Sequence, residues 1–255
     1  MGIRRKFIKK IKKLLYGDHY VLTKNSGVNL LLRASNYVDR ELLGRGSYEE
    51  SQVKEVIQLI KTNNIKYFID VGSNIGLYSL RVAAECDCLE KIIAIEAQIE
   101  NYNQLCGNIR INDFDRLIDA RNIGASDKTG QIEFLVNKGS STGTSRIKET
   151  MPEGTNLRKF NSQMVPVDTL DNILSGIAGD KFFFKIDVEG HEKNVLLGMT
   201  DILAKNQCFF QIEFLDGQHQ RMESDFGLRK TNQIGSDAYF ESSPLITSEQ
   251  TPGSG

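Results

Sequence analysis

From residue 65 onward, short apolar runs alternate with stretches in which apolar residues recur every three or four positions. The runs predict buried strands, and the spaced stretches predict amphipathic helices between them. Strands that are apolar throughout and alternate with helices indicate a mostly parallel sheet covered on both faces. Two late segments, near 226–229 and 238–240, predict an antiparallel edge hairpin. The other strands are predicted at 67–71, 91–95, 119–123, 131–136, 181–188 and 207–214.

The segment before residue 65 has a mixed pattern. Short β-like pieces stand at 20–22 and 30–32. A helix is then predicted to begin at Ser47 and to end at Asn63. Ser47 and Glu50 would form a capping box, in which each side chain accepts a hydrogen bond from the backbone amide of the other residue. Four apolar residues predict its buried stripe: Val53, Val56, Ile57 and Ile60.

The two ends of the chain differ in composition from the rest. Seven Lys and Arg fall in the first 13 residues with no acid among them, and the apolar residues between them form one stripe of a helix over 1–16. Such a helix either contacts an anionic membrane surface or packs as a leading helix, and both alternatives stay open. Residues 241–255 are rich in Ser, Thr, Pro and Gly and are predicted to be disordered. Between the ends we expect an extension with a capping helix over 17–64 and the main domain over 65–240.

Charge and apolar content exclude several classes of protein. Removing the seven leading cations leaves 25 basic against 33 acidic residues, an acidic balance that argues against a general nucleic-acid binder. The four cysteines lack zinc-site spacing. No apolar run is long enough for a membrane span, and cations interrupt any signal-peptide core. We therefore expect a cytoplasmic protein, either free or held at the inner membrane face by its leading helix.

The most informative motif follows the strand at 67–71. Asp70 ends this strand, Gly72 permits a tight turn and Gly76 lets a helix pack closely. Ligands of open parallel sheets bind at the carboxyl ends of the strands, so a nucleotide-like molecule is expected at this turn. Glu96 lies 20 residues beyond Gly76, where a carboxylate can accept both hydroxyls of a ribose.

The glycine spacing separates two kinds of ligand. A dinucleotide site needs a further glycine so that a pyrophosphate can lie against backbone amides, but Ser73 and Asn74 stand between Gly72 and Gly76. Asp70 would repel phosphate, whereas it suits the ammonium of a methionine moiety. The turn therefore favours a nucleoside with a cationic amino-acid tail.

A second motif, Lys185-Ile186-Asp187-Val188-Glu189-Gly190-His191-Glu192, ends the most apolar strand. Lys185 and Asp187 alternate along this strand and point to the same side of it. Charges inside an apolar strand are costly unless they are paired, so this cluster indicates a site at the ligand-binding edge. Glu213 repeats the pattern on the next apolar strand.

Together with Thr169-Leu170-Asp171, these two motifs resemble the FkbM family of methyltransferases over roughly residues 65–215. The resemblance implies a class I methyltransferase (Rossmann-like) α/β fold that uses S-adenosylmethionine, usually for O-methylation of sugars in glycolipids and polysaccharides or of polyketide hydroxyls. It also implies that Glu96 holds the ribose and that the loop at Ala125, Ser126 and Asp127 approaches the adenine. The resemblance further implies that the methionine end of S-adenosylmethionine is held by the first turn and the start of the helix after it. These residues are Asp70, Gly72, Ser73, Asn74, Gly76, Tyr78 and Ser79.

Methyl transfer to a hydroxyl is faster when a general base takes the proton. Asp187 and His191 are the candidates, with Lys185 beside them, although His191 can equally be a helix-entry residue that bonds to backbone. Asp187 and Glu213 supply two oxygen ligands, too few to claim Mg²⁺. We expect an enzyme that methylates a hydroxyl of a small molecule or of a glycan or lipid-linked saccharide. The alternatives are a nucleotide-dependent oxidoreductase and a non-catalytic S-adenosylmethionine-binding protein.

Overall fold

The computed structural model describes residues 19–138, 145–152, 154–177, 181–214 and 222–242. The predicted leading helix at 1–16 and residues 243–255 of the predicted tail lie outside the described residues, whereas Glu241, the first residue of that tail, belongs to a strand. None of the described helices is long and apolar enough to cross a membrane.

The extension begins with an antiparallel hairpin, β1 (Tyr20–Asn25) and β2 (Val28–Arg33), followed by the helices α1 (Tyr37–Arg45) and α2 (Glu50–Asn63). Sequence analysis missed α1. The predicted capping box of α2 is wrong, because the N-cap is Glu49 in a left-handed conformation, with no side-chain cap. The predicted stripe and end of α2 are confirmed, with Asn64 closing the helix in a left-handed conformation.

The main sheet begins as predicted, with a strand, a helix and a second strand over the expected residues. The third strand ends two residues earlier than predicted, at Arg121. These elements are β3 (Tyr67–Val71), α3 (Leu77–Glu85), β4 (Lys91–Ile95), α4 (Ile99–Arg110) and β5 (Ile118–Arg121).

A smaller sheet interrupts the βαβ pattern and covers the crevice described below. Its order is β6-β9-β7-β8, in which β7 pairs antiparallel with both β8 and β9. The predicted strand at 131–136 is β7, whereas β8 and most of β9 were not predicted. The four strands are β6 (Gly124–Ala125), β7 (Gly130–Asn137), β8 (Arg146–Ile147) and β9 (Phe160–Asp168).

The chain then returns to the main sheet. Thr169 caps the short helix after β9, because its hydroxyl accepts the amide of Asn172. Residue 226 belongs to the last helix, so the edge hairpin begins at Arg229. These elements are α5 (Leu170–Ile173), β10 (Lys181–Ile186), α6 (Glu192–Leu197), α7 (Thr200–Lys205), β11 (Gln207–Glu213), α8 (Met222–Phe226), β12 (Arg229–Ile234) and β13 (Asp237–Glu241).

The seven strands of the main sheet have the order β12-β13-β11-β10-β3-β4-β5. Strands β5, β4, β3, β10 and β11 are parallel, and β13 pairs antiparallel with β11. The predicted Rossmann-like α/β sheet with an antiparallel edge hairpin is therefore confirmed. From β3 the chain builds outward through β4 and β5, and β10 later adds to the opposite side of β3. Strand order thus reverses between β3 and β10, where such sheets hold their ligands.

Two apolar cores cover the two faces of this sheet. One core combines the extension with the sheet, since Val28 and Val53 share it with Phe68 and Leu80. The other contains a stack of rings in which Phe184 lies 5.9 Å from Phe182 and 5.4 Å from Phe210, centroid to centroid. Stacked, buried aromatic rings hold β10 and β11 in place, and β10 leads into the second motif.

Candidate active site

A crevice opens at the carboxyl ends of β3, β4 and β10. Its empty volume, including the part open to solvent, is about 760 Å³, within the range of small-molecule sites. Of the residues predicted for the site, the crevice wall holds six: Gly72, Asn74, Glu96, Ala125, Asp187 and His191. Residues far apart in the chain therefore meet where strand order reverses.

The turn after β3 lies hard against the end of β10. Gly72 has a φ of +79°, and a Cβ placed on it would lie 1.9 Å from the carbonyl oxygen of Asp187. The amide of Asp187 donates to the carbonyl of Val71 at 3.0 Å, so the two strand ends are joined by their backbones. Only glycine fits at position 72, both for its backbone conformation and for its space.

Glu96 is held by two backbone amides at the crevice wall. Asn74 N donates to Oε2 and Gln98 N donates to Oε1, both at 2.8 Å. Burial raises the pKa of this carboxyl to about 7, although the two amides act in the opposite direction. Each oxygen keeps a further lone pair, so the carboxylate can still accept hydroxyl protons.

Asp70 is fully buried beneath the turn. Its Oδ2 accepts from the hydroxyl of Ser79 at 2.7 Å and from the amide of Ser79 at 3.2 Å, at the first turn of α3. Its Oδ1 has no hydrogen-bond partner among the described residues, and burial raises its pKa. The expected contact between Asp70 and a methionine ammonium stays a prediction.

The other residues of the first turn hold the local backbone. The hydroxyl of Ser73 donates to the carbonyl of Ile95 at 3.2 Å, which ties the turn to β4. Gly76 has a φ of +86° and is the N-cap of α3. A Cβ there would lie 2.5 Å from a methyl of Leu105, which supports the predicted close helix packing.

Lys185 forms a buried ion pair with Asp187, with 3.0 Å between Nζ and Oδ2. Its ammonium also lies 5.0 Å from the centre of the Tyr78 ring. Burial disfavours the ammonium, but the charges of Asp187, Asp70 and Glu49 outweigh that effect and raise the pKa of Lys185. This cation neutralises a site that is rich in carboxylates.

Glu49 of the extension belongs to the same network of charged and polar side chains around Lys185. Sequence analysis did not identify Glu49 as a site residue. Tyr78 donates its hydroxyl proton to Glu49 at 3.0 Å, and Gln211 donates to Tyr78 Oη at 3.0 Å and to Asp237 at 2.7 Å. Glu49 has a φ of 49°, uncommon for a residue other than glycine. The sequence could have indicated Gln211, because it is a polar residue in the middle of an apolar strand. It gives no such indication for Glu49, which precedes an ordinary helix.

Glu213 lies beside Asp187, as its place on the neighbouring strand predicted. Burial and the charge of Asp187 raise the pKa of Glu213 to about 8, so near neutral pH it is protonated and hydrogen-bonds to Asp187. The hydroxyl of Ser236 donates to Glu213 Oε1 at 2.9 Å. The described residues contain no group of three or more His, Cys, Asp or Glu that could hold a metal ion. The Mg²⁺ alternative therefore has no support here.

His191 is the N-cap residue of α6 and lines the crevice. Its Nε2 lies 2.9 Å from the hydroxyl oxygen of Ser126, which is buried, and that hydroxyl donates to Asp127 Oδ1 at 3.0 Å. Burial lowers the pKa of His191. Of the loop expected near adenine, Ala125 lines the crevice, Ser126 contacts His191, and Asp127 bonds to Ser126.

The residues at the crevice fit a nucleoside with a sugar. Glu96 offers a fixed carboxylate, and Asn74 Oδ1 is buried without a partner among the described residues. Apolar side chains from β4, β7 and β9 line one part of the wall, a surface that suits the flat face of a base. These apolar residues include Ile95, Phe134, Val165 and Val167.

Comparisons with known proteins agree with this geometry. Hexuronic acid methyltransferase AglP of Haloferax volcanii is 31% identical over 138 residues, covering 52% of this chain and 50% of that protein. The chain thus matches about half the length of this curated relative. A family model described as the methyltransferase FkbM domain matches residues 70–231.

Two solved structures are also similar. Methyltransferase FkbM from Methylobacillus flagellatus KT aligns with a TM-score of 0.45 and 18% identity, covering 69% of this chain and 44% of that one. Human methyltransferase 10 domain containing protein aligns with a TM-score of 0.49 and 10% identity, covering 95% of each chain. Structural similarity at these TM-scores and sequence identities gives no information about activity. Because the family model spans more than half of the chain, this protein belongs to the FkbM family of methyltransferases.

Proposed function

We propose that this protein transfers a methyl group from S-adenosylmethionine to a hydroxyl of a sugar, within a glycan or a lipid-linked saccharide. The observation that carries the proposal is the meeting of Glu96, Gly72, Asp187 and His191 around one crevice where strand order reverses. A ribose acid, a close-approach glycine and two candidate bases are the parts that such a transfer needs. Family membership supports the methyl transfer itself.

S-adenosylmethionine would supply an activated methyl group on a sulfonium. Glu96 would accept the ribose hydroxyls, since its carboxylate is fixed at the wall by two amides. Asn74, with an unpartnered amide oxygen at the same wall, would add a second polar contact. Gly72 would let the ligand approach the backbone at the point where a side chain has no room.

The acceptor hydroxyl would lose its proton to a base on the crevice wall. His191 is better suited than Asp187, because Asp187 already receives hydrogen bonds from Lys185 and from protonated Glu213. Both bonds use lone pairs of the carboxylate that would otherwise be open to the acceptor hydroxyl. Lowering of the His191 pKa by burial keeps its imidazole neutral, the form that takes up a proton.

A sugar acceptor is supported by the curated relative, whose name gives a hexuronic acid as its substrate. The charges here differ from what an acidic sugar needs, since Asp187 and Glu189 line the crevice together with His191. Arg146, paired with Glu189 at 2.7 Å, is the counter-charge for one of them. We therefore expect a neutral sugar to be the better acceptor for this chain.

Cofactor binding is tested first, by isothermal titration with S-adenosylmethionine and with NAD. We expect S-adenosylmethionine to bind and NAD not to bind. Glu96→Gln should weaken the affinity by about 10- to 100-fold, which is the value of a hydrogen bond to a charged group. Glu90→Gln is the matched control, because Glu90 is largely exposed and its contacts are long, 3.9 Å to Lys66 Nζ and 3.3 Å to the hydroxyl of Tyr67. Binding of NAD alone would restore the oxidoreductase alternative.

Transfer is tested with methyl-labelled S-adenosylmethionine and paired acceptors, a neutral hexoside and the matching hexuronoside. Labelled sugar in the wild type, lost in His191→Ala while cofactor affinity is kept, supports the proposal. Cofactor binding without transfer to either sugar would refute the sugar assignment and favour the non-catalytic alternative. Faster transfer to the hexuronoside would contradict the charge argument and leave the methyltransferase assignment intact.

A further inference from the structure

Ser126 and Asp127 stand together on the loop after β6, and Ser126 contacts the candidate base His191. The position of Ser126 is fixed by its backbone, since its amide donates to the carbonyl of Asp168 at 2.9 Å. Its hydroxyl lies between two partners, Asp127 Oδ1 at 3.0 Å and His191 Nε2 at 2.9 Å. A hydroxyl has one proton to give, so only one of these partners can receive it.

The partner that receives the proton is decided by Asp127. A carboxylate can only accept, and hydrogen bonds from Ser126 and Asn194 lower the pKa of Asp127 although burial opposes them. The Ser126 proton therefore goes to Asp127, and the Ser126 oxygen must accept from a protonated Nε2 of His191. In a neutral imidazole the other nitrogen, Nδ1, then carries the lone pair.

The fold brings this loop and α6 together at a close contact. A Cβ on Gly198, at the end of α6, would lie 2.0 Å from the carbonyl oxygen of Ser126. Asn194, one turn into α6, bonds to Asp127. Two contacts besides the histidine thus hold the loop against the helix that begins at His191.

We propose that Ser126 and Asp127 are positioning residues that hold His191 in the Nε2-protonated tautomer, so that Nδ1 is the atom that accepts the proton of the acceptor hydroxyl. The catalytic part of this inference rests on the proposed function. In the transfer, the hydroxyl oxygen bonds to the methyl carbon as the carbon–sulfur bond breaks. The bonding pair passes to sulfur, and the hydroxyl proton moves to Nδ1 to give an imidazolium. The tautomer itself does not depend on whether transfer occurs.

The tautomer is read by nitrogen NMR of histidine-labelled full-length protein, without cofactor. The chain has three histidines, so comparison with His191→Asn assigns the signal. We expect the proton of neutral His191 on Nε2 in the wild type. Ser126→Ala should release that proton to a mixture of both nitrogens, and Asp127→Asn should keep it on Nε2, because an amide oxygen can still accept from Ser126.

The kinetic measurements separate this role from the predicted adenine contact. Ser126→Ala should lower kcat by about 10- to 100-fold, part of the contribution of a general base, with little change in the affinity for S-adenosylmethionine. An adenine contact would instead weaken that affinity and leave the tautomer alone. Ser162→Ala is the matched control, since it removes another serine-to-carboxylate bond, to Glu133 on the smaller sheet.

The pH profile provides a further measurement. Asp127 and Glu149 raise the pKa of His191, whereas burial, as the largest effect, and Lys128 lower it. Asp127→Asn removes one raising charge, so the acid limb of the kcat profile should move to lower pH. Because Asp127 is exposed, this variant should fold even if Ser126→Ala does not.

Three results would overturn the inference. The first is a wild-type His191 that carries its proton on Nδ1. The second is a Ser126→Ala variant with unchanged tautomer and unchanged kcat. The third is an Asp127→Asn profile that does not move. Failure of all sugar acceptors with an Nε2-protonated His191 would instead refute the proposed function while the positioning of His191 stands.

Discussion

Gly72→Ala tests the close contact on which the crevice depends. Alanine at a φ of +79° costs about 1–2 kcal/mol. Its Cβ would start 1.9 Å from the Asp187 carbonyl oxygen, so the two strand ends must separate by about 1 Å to restore van der Waals contact. That separation stretches the backbone bond between Asp187 and Val71, worth about 1 kcal/mol, and strains the packing by about 1–3 kcal/mol more. The sum is a loss of about 3–6 kcal/mol in the free energy of unfolding.

Gly27→Ala is the matched control for this prediction. Gly27 also has a positive φ, +92°, but no heavy atom lies within 4 Å of its added Cβ. Its variant should lose only the conformational part, about 1–2 kcal/mol, and should bind S-adenosylmethionine as the wild type does. Urea denaturation and isothermal titration measure both effects. If Gly72→Ala costs no more than Gly27→Ala and keeps full affinity, the contact between the strand ends does not control the site.

Two further predictions follow from the buried charges. Because burial raises the pKa of Glu96 to about 7, and ribose hydroxyls need its carboxylate, the affinity for S-adenosylmethionine should be about tenfold weaker at pH 6 than at pH 8, with a flat profile in Glu96→Gln. Isothermal titration at the two pH values checks this, and an unaltered slope in the variant would contradict it. Lys185→Met should cost about 3–5 kcal/mol in the free energy of unfolding, because it leaves buried carboxylates without a counter-charge. Without the ammonium, the pKa values of Asp70 and Glu49 rise further in the folded state, so the variant should be less stable at pH 8 than at pH 5 in urea denaturation. Equal stability at the two pH values would show that the cation does not hold the network together.

The strands that hold the site were readable from the sequence because burial on both faces leaves a continuous apolar run. β3, β4 and β10 were therefore placed to within about two residues. Helix α1 was missed for a physical reason. Its buried face carries Asp39 beside Val38 and Leu42, and Oδ2 of that carboxylate accepts from the backbone amide of Arg33 at 2.6 Å and from the side-chain amide of Gln104 at 2.8 Å. A polar residue on an apolar face hides the helical period.

The candidate site likewise contains residues that the sequence predicted and residues that it did not. Gly72, Glu96 and Asp187 stand at strand ends, so a local motif and the rule for parallel sheets were enough to bring them together. The bond between Ser126 and His191 joins residues 65 apart in the chain, and it depends on how a loop and a helix meet. No local pattern carries that information. The same holds for Glu49, which reaches the buried network from the extension.

The core shared by the extension and the sheet has a consequence for how the protein is divided. The family model begins at residue 70, yet Val28, Leu30 and Val53 are packed in one apolar cluster with Phe68 and Leu80. The segment defined by family likeness is therefore smaller than the segment that folds. An expression boundary drawn at the start of the family match would remove β3 in part and uncover a face of the sheet to water. For this chain, the cooperative unit of folding includes the hairpin and helices that precede the recognisable motif.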